Sequence, residues 1–160
     1  MNANNEDIIR QFYTAFQVMD AVEMTKHYHD NIVFEDPAFG ILKGEKANFM
    51  WKMLCSTAKD LKIDFEVLSS TDDEVKAKWE AYYTFSRTGR DVYNRIEASF
   101  VIENGLIVKH TDVFNLHKWA AQALGLKGLL IGWTGFFKRK LNEQTGKLLT
   151  RFMNGESRSD

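Results

Sequence analysis

The longest regular pattern in the sequence is an alternation of apolar and charged residues that begins at Val75. Val75, Ala77 and Trp79 are separated by Lys76 and Lys78. The apolar series continues through Ala81, Tyr83 and Phe85. Because successive side chains of a strand point to opposite faces of a sheet, this stretch predicts an antiparallel strand with one buried face. The second half of the chain is therefore predicted to be mostly sheet.

The last two strands are predicted to form a hairpin. Asn104-Gly105 stands between two extended runs, which is the strongest short-range signal for a two-residue turn. The strand before it begins after a turn at Thr88-Gly89-Arg90. The strand after it extends to about Asn115. A two-residue turn also fixes which side chains of the two strands share a face.

Helices are predicted on both sides of the sheet region in the sequence. The apolar face of the first helix consists of Ile9, Phe12, Tyr13 and Phe16. Asp20 and Glu23 form a capping box for a short second helix, and a third helix covers about 45–58. After the sheet, helices are expected over 116–124 and about 133–152. The last helix has a basic face, which is more often solvated than bound to a membrane, so membrane contact is not expected.

Composition disfavours several classes of protein. A chain of 160 residues with a net charge of −1 predicts one domain and gives no sign of a nucleic-acid binder. The single cysteine, Cys55, excludes an intrachain disulfide, and no metal-ligand spacing is present, so no metal or cofactor is expected. The sequence shows no signal segment and no apolar run of membrane-spanning length, which predicts a cytoplasmic protein.

The only proline, Pro37, follows Asp36 at the end of a predicted strand. The residue before a proline is held in an extended conformation, so Phe34 and Asp36 are expected to point to one face. A carboxylate beside a large aromatic side chain is unusual in a core and less unusual in a pocket. The alternative is that Asp36 begins a turn with Pro37, as aspartate often does.

A second group of polar residues lies on the last hairpin. Counting outward from Asn104-Gly105 places Glu97 opposite Asp112 and Ser99 opposite His110, with Arg95 nearby. Two acids side by side raise the pKa of one of them, which suits acid–base catalysis near neutral pH. Binary patterning favours the opposite arrangement, in which the apolar face of the hairpin is the core and the polar group is solvated. Periodicity alone does not decide between these two.

The order and spacing of these segments resemble the nuclear transport factor 2-like superfamily, in its SnoaL-like and ketosteroid isomerase-like branch. The resemblance rests on residues 12–16, 28–30, 34–37, 95–97 and 110–114. It implies an α+β fold in which a curved antiparallel sheet wraps around the N-terminal helices to form a cone with an internal pocket. The cone domain would cover residues 1–115, a C-terminal helical extension packed on it 116–153, and a disordered tail 154–160.

The resemblance also implies roles for individual residues. Asp36 matches the catalytic base of ketosteroid isomerases, and Glu97 stands where they carry a protonated aspartic acid. Phe12 replaces their oxyanion-hole tyrosine, with Tyr13 next to it. Limonene-type epoxide hydrolases are similar at Arg95, Glu97 and Asp112, where they carry an Asp-Arg-Asp triad, and polyketide cyclases place an acid–base aspartate near Asp112. The remaining expected pocket residues are Tyr13, Phe16, Phe34, Phe39, Trp51, Leu54, Trp79, Tyr83, Phe85, Ser99, His110 and Phe114.

Two functions follow as hypotheses. The first is an enzyme that binds an apolar, oxygen-bearing small molecule and performs cofactor-free acid–base chemistry on it, through Asp36, Glu97, Asp112 and Arg95. The reaction would be an isomerisation, an epoxide opening or a cyclisation. The second is a non-catalytic ligand-binding or assembly module of the same fold. With the polar hairpin face inside, the apolar face would point outward, which predicts a homodimer through the convex face of the sheet.

Overall fold

The computed structural model describes residues 4–157 and, at the C-terminus, side chains as far as residue 155. The helices are α1 (Asn5–Gln17), α2 (Ala21–Thr25), α3 (Glu45–Thr57), α4 (Leu116–Leu124), α5 (Leu126–Ile131) and α6 (Gly135–Ser157). The strands are β1 (Tyr28–Asp36), β2 (Gly40–Lys43), β3 (Lys62–Ser70), β4 (Glu74–Phe85), β5 (Arg90–Glu103) and β6 (Leu106–Val113). The α+β class is thus confirmed.

The helix ends are set by the residues that the sequence indicates. Asn4 caps α1 by accepting a hydrogen bond from Glu6 N, and Asp20 caps α2 by accepting one from Glu23 N at 2.9 Å. Gly125 ends α4 with a φ of 67°, a conformation that costs glycine little. One boundary differs at the C-terminus. Helix α6 continues to Ser157, past the predicted start of a disordered tail at residue 154, and residues 158–160 lie outside the described part of the chain.

Six strands form one curved sheet in the order β2-β1-β6-β5-β4-β3. The sequence predicts an antiparallel sheet, but the sheet is mixed because β1 runs parallel to β6. This pairing brings the first strand of the chain next to the last strand, and local turn signals cannot predict it. Helices α1 and α3 cover the inner face of the sheet, and the main core lies between them and β1, β4, β5 and β6.

The β5–β6 hairpin has the predicted turn but a different register. Asn104 and Gly105 both have positive φ, as the two-residue turn requires, and Glu103 pairs with Leu106. Beyond the turn, Ile102 pairs with Ile107 whereas Val101 pairs with Lys109, so Val108 is an extra residue in β6. Such a bulge shifts the rest of the strand by one residue and turns each following side chain to the other face.

The bulge corrects the predicted pairing of Glu97 with Asp112 and of Ser99 with His110. Asp112 pairs with Ala98, and His110 pairs with Phe100. His110 and Asp112 are therefore on the inner face, together with the apolar side chains Ile96, Ala98, Phe100, Ile102 and Ile107. Ile96, Phe100 and Ile102, which were expected on the convex face, are thus buried in the core, and the homodimer itself stays a prediction.

Helices α4, α5 and α6 form a smaller second core against the start of β5. Val92, Trp119, Ala120, Ala123 and Phe137 are its buried residues. From there α6 crosses to the other side of the fold, where Leu149 is buried in the main core. Asn142 and Thr145 of α6 donate hydrogen bonds to the backbone of the loop after β1, at Pro37 and Ala38. No helix in residues 4–157 is both long enough and apolar enough to span a bilayer.

Candidate functional site

A buried chain of hydrogen bonds connects α3, β1 and β6. The indole N–H of Trp51 donates to the hydroxyl oxygen of Tyr28 over 2.8 Å. The Tyr28 hydroxyl lies 2.7 Å from Nδ1 of His110. His110 Nε2 lies 2.9 Å from Oδ1 of Asp112. All four side chains are almost fully buried, so each bond satisfies a polar group that has no access to water.

The hydrogen bonds assign the tautomer of His110. A carboxylate only accepts, so in a neutral His110 the proton lies on Nε2, next to Asp112, and Nδ1 is the acceptor for the Tyr28 hydroxyl. Nε2 donates this proton to Asp112. This chain holds the imidazole in one orientation and gives the buried carboxylate of Asp112 a donor.

Aromatic side chains fill the space around His110. Trp51 stacks on the imidazole at 5.9 Å with an interplanar angle of 10°, and the ring of Phe100 lies at 4.2 Å. Phe12 and Phe34 pack edge-on against it. The imidazole is fully buried in this environment. His110 is therefore a positioning group for Asp112 rather than a group that a ligand could touch.

Asp36 lies at the end of β1 and is only partly exposed. Its Oδ1 accepts a hydrogen bond from Phe39 N over 2.6 Å, so it caps the turn that contains Pro37. Burial raises the pKa of Asp36 to about 7, and the charge of Asp112 adds to this rise against the opposing hydrogen bonds from Phe39 and Ala38. Asp36 therefore takes part in the turn, as one interpretation predicts, and its role in a pocket stays a prediction.

Tyr13 carries a buried hydroxyl that has no hydrogen-bond partner among the described residues. Its ring stacks on Phe65 at 5.2 Å, and its side chain is fully buried. Burial and then the charge of Asp112 raise the pKa of Tyr13 well above its usual value. Tyr13 therefore keeps its proton and can only gain by donating it to an acceptor. Since the charge of Asp112 acts on both Tyr13 and Asp36, the three groups share one electrostatic environment.

Three of the predicted site residues lie away from this group. Arg95 and Glu97 are exposed on the outer face of β5, and Ser99 is partly exposed on the same face. The bulge at Val108 is the physical reason, because it separates the outer side chains of β5 from the inner side chains of β6. The structure therefore does not bring Arg95 and Glu97 together with Asp112.

The other predicted residues lie on the inner side. The buried ones are Tyr13, Phe16, Phe34, Trp51, Trp79 and His110. The partly buried ones are Phe39, Leu54, Tyr83, Phe85 and Phe114. Sequence reasoning misses Tyr28, because the helical pattern before it places this residue at the end of α2. An irregular register between Tyr28 and Val33 interrupts the alternation that would assign it to the strand.

The surface grooves of the described structure lie elsewhere. One groove of about 500 Å³ lies between α6 and the β2–α3 region, and one of about 470 Å³ lies along α1 and α2. Neither is lined by Asp36, His110 or Asp112. In the described part of the chain, no group of three or more His, Cys, Asp or Glu residues is arranged to hold a metal ion.

Comparisons with known proteins agree with the fold described above. The family model described as SnoaL-like domain matches residues 9–110. IdmH, a proposed polyketide cyclase from Streptomyces antibioticus, is similar in structure at a TM-score of 0.64 and 20% identity over 78% of this chain and 100% of its own. No curated protein sequence matches the chain.

Two further solved structures have the same architecture. A proposed polyketide cyclase from Pseudomonas putida KT2440 gives a TM-score of 0.67 at 16% identity, over 76% of this chain and 98% of its own. An NTF2-like protein of unknown function from Burkholderia pseudomallei K96243 gives 0.64 at 16% identity, over the same shares of the two chains. These similarities establish the nuclear transport factor 2-like fold. The family match ends before α4, so the C-terminal helices lie outside it.

Proposed function

The chain belongs to the SnoaL-like domain family, and we propose that it binds an apolar, oxygen-bearing small molecule and transfers protons on it without a cofactor. The favoured reaction removes a proton next to a carbonyl group, as an isomerisation or an aldol-type cyclisation requires. The names of two structural neighbours as proposed polyketide cyclases support the cyclisation class.

The observation that carries the proposal is the environment of Asp36. A general acid or base is most effective when its pKa lies near the working pH. Burial beside Asp112 gives Asp36 a pKa of about 7, so both of its protonation states are populated in a neutral solution. Asp36 is also partly exposed, unlike His110 and Asp112, so a ligand can reach it without displacing the core.

Tyr13 and Asp112 support this role from the inner side. Proton removal next to a carbonyl places negative charge on the carbonyl oxygen, and a preorganised donor stabilises that charge. The unpartnered hydroxyl of Tyr13 would be such a donor once the side chains around it move to admit a ligand, since Tyr13 is as fully buried as His110. Burial is the main cause of the raised pKa of Asp36, and the negative charge of Asp112, which is held by His110, adds to it.

The epoxide-hydrolase reaction has less support than proton transfer next to a carbonyl. The resemblance to those enzymes assigns Arg95 and Glu97 to one triad with Asp112. Arg95 and Glu97 lie on the outer face of β5, opposite the face that carries Asp112. An arginine in that position cannot orient both acids around one ligand.

Hydrogen–deuterium exchange at carbon tests the proposal even when the product is not identified. A thermal-shift screen of cyclic enones, terpene epoxides and hydroxylated polycyclic aromatics selects ligands, and NMR in D₂O then follows exchange of their α-protons. The wild type should catalyse exchange with a rate that rises as pH passes through about 7, the pKa of Asp36. Asp36→Asn should reduce the rate by about 10²-fold or more.

Glu97→Gln is the matched control, because it neutralises an acid of the same sheet on the outer face. Its exchange rate should equal that of the wild type. Equal rates for Asp36→Asn and the wild type would refute the role of Asp36. Loss of catalysed exchange in Glu97→Gln would instead favour a catalytic role for Glu97 together with Asp112.

A non-catalytic binding module is the second candidate. Phe12 takes the position at which the resembled isomerases carry a tyrosine, and aromatic rings occupy the space around His110. This function predicts a ligand that stabilises the wild type and undergoes no exchange at any pH tested on either side of neutrality. That result would exclude the enzyme.

A further inference from the structure

Helix α5 is packed against α4 through two glycines. A Cβ atom on Gly128 would lie 1.9 Å from the carbonyl oxygen of Ala120, and one on Gly132 would lie 2.7 Å from the Ala120 Cβ. Only glycine permits this approach of the two backbones. His117 also hydrogen-bonds to the carbonyl oxygen of Leu129 over 2.8 Å. The rotation of α5 about its axis is therefore fixed, and its glycine side faces inward.

The opposite side of α5, the turn after it and the start of α6 carry large apolar residues that face the solvent. We define the α5 surface as Leu126, Leu129, Leu130, Trp133 and Phe136. Trp133 is 71% exposed and Leu130 is 64% exposed, although isolated exposed leucines are otherwise ordinary on a protein surface. Five large apolar side chains within eleven residues, held outward by a glycine contact, are not ordinary. They form a solvent-exposed apolar surface, with the ammonium of Lys140 lying 5.8 Å from the centre of the Phe136 ring.

The sequence segment that carries the α5 surface has charge of one sign as far as Glu143, which pairs with Lys140 over 3.5 Å. Between residues 113 and 142 the sequence contains five lysines and arginines and no acid, in a protein whose net charge is −1. Lys127 lies within the apolar series, and Lys138, Arg139 and Lys140 follow Phe136 on exposed positions of α6. Exposed leucines with tryptophan and phenylalanine, flanked by cations, are the composition of a segment that inserts into the interface of an anionic membrane.

We propose that the α5 surface docks the protein peripherally on an anionic phospholipid bilayer, with Trp133 and Phe136 at the level of the headgroups. A second copy of the chain is a poorer occupant, because two copies of the same cationic surface would repel each other. The basic face of α6 by itself predicts a solvated surface. The outward apolar side of α5 is the additional observation, and it includes none of the groups proposed for catalysis.

Trp133 provides a spectroscopic probe of the docking. The other three tryptophans, Trp51, Trp79 and Trp119, are each at most 9% exposed. A change in tryptophan emission on adding vesicles therefore reports mainly on Trp133. Vesicles of phosphatidylcholine with about one-third phosphatidylglycerol should shift the emission to shorter wavelength and co-sediment with the protein, and ~0.5 M NaCl should weaken both effects. Pure phosphatidylcholine should give much weaker binding.

Two variants separate the apolar and the electrostatic contributions by co-sedimentation. Trp133→Ser with Phe136→Ser should weaken vesicle binding by about tenfold or more, since both side chains are exposed and their loss leaves the core intact. Lys127→Gln with Lys138→Gln and Arg139→Gln should weaken binding to the anionic vesicles by about tenfold or more.

Val18→Ser with Val22→Ser is the matched control for the loss of exposed apolar side chains. These residues are 73% and 70% exposed, and they lie at the end of α1 and in α2 rather than on the α5 surface. Vesicle binding of this variant should equal that of the wild type.

Three outcomes would overturn the proposal. The first is no binding of the wild type to the anionic vesicles. The second is binding that the Trp133→Ser, Phe136→Ser variant retains in full. The third is concentration-dependent self-association that this variant abolishes while vesicle binding is absent, which would assign the α5 surface to a second copy. A circular-dichroism melt of each variant confirms that it is folded, and Leu129→Ser with Leu130→Ser should repeat the loss of binding independently.

Discussion

The two faces of the β5–β6 hairpin carry acids in very different environments. Asp112 is buried on the inner face and accepts a hydrogen bond from His110, whereas Glu97 is exposed on the outer face beside Lys78 of β4. A regular ladder would have placed these two acids opposite each other. One extra residue, Val108, separates them. The position of a bulge can thus decide which of two acids is buried and which is exposed to solvent.

The two faces also differ in what a charge costs there. A buried carboxylate is tolerated only when donors replace its lost hydration, and His110 supplies such a donor to Asp112. Glu97 keeps its hydration, and exposed charges contribute little to stability. The inner face should therefore respond strongly to substitution and the outer face weakly.

Asp112→Ala should have the largest effect on stability. It leaves the buried Nε2–H of His110 without an acceptor and should lower the free energy of unfolding by about 3 kcal/mol. Glu97→Ala on the outer face should change it by no more than about 0.5 kcal/mol. Equal losses in urea unfolding would mean that the two acids have equivalent environments.

Asp36→Asn should change the pH dependence of stability. The folded pKa of about 7 lies above the ordinary value of 3.8, so the contribution of this carboxyl is most favourable at low pH and is lost as the pH rises from about 4 to 7. An asparagine at this position would keep the oxygen that accepts from Phe39 N and would not titrate. The variant should therefore gain stability over the wild type at about pH 8 relative to about pH 4, by a few kcal/mol at most.

Thermal unfolding midpoints of the two proteins at about pH 4, 6 and 8 provide the measurement. Asp64→Asn, at an exposed position of β3, is the control and should follow the wild type. Parallel curves for Asp36→Asn and the wild type would show that Asp36 titrates at its ordinary pKa.

Much of the fold follows from local sequence signals. The caps at Asn4 and Asp20, the stop at Gly125 and the turn at Asn104-Gly105 are each decided by one or two residues and their immediate neighbours. The resemblance in segment order then supplies the α+β class and the family, and the family match over residues 9–110 confirms it. Asp36 is a candidate site residue for a similarly local reason, its position before Pro37.

The site itself depends on features that no local signal carries. The bulge at Val108 lies at the end of an apolar run, and no glycine or proline in β6 indicates its position. The parallel pairing of β1 with β6 joins residues about 80 positions apart, and it alone brings Tyr28 to His110. The register error arises from extending a regular ladder beyond the turn that defines it, and the missed pairing arises because local signals do not report which distant strands pair.

A direct titration of the Asp36 side chain tests the central claim, which is that the inner face holds a carboxyl poised near neutral pH. Carbon-13 NMR of the carboxyl groups, assigned with Asp36→Asn, follows each aspartate from acidic to mildly basic pH. A midpoint of about 7 for Asp36, well above the midpoints of exposed aspartates, is the predicted result. A midpoint of about 4 would contradict it and would leave Asp36 as the cap of the Pro37 turn alone.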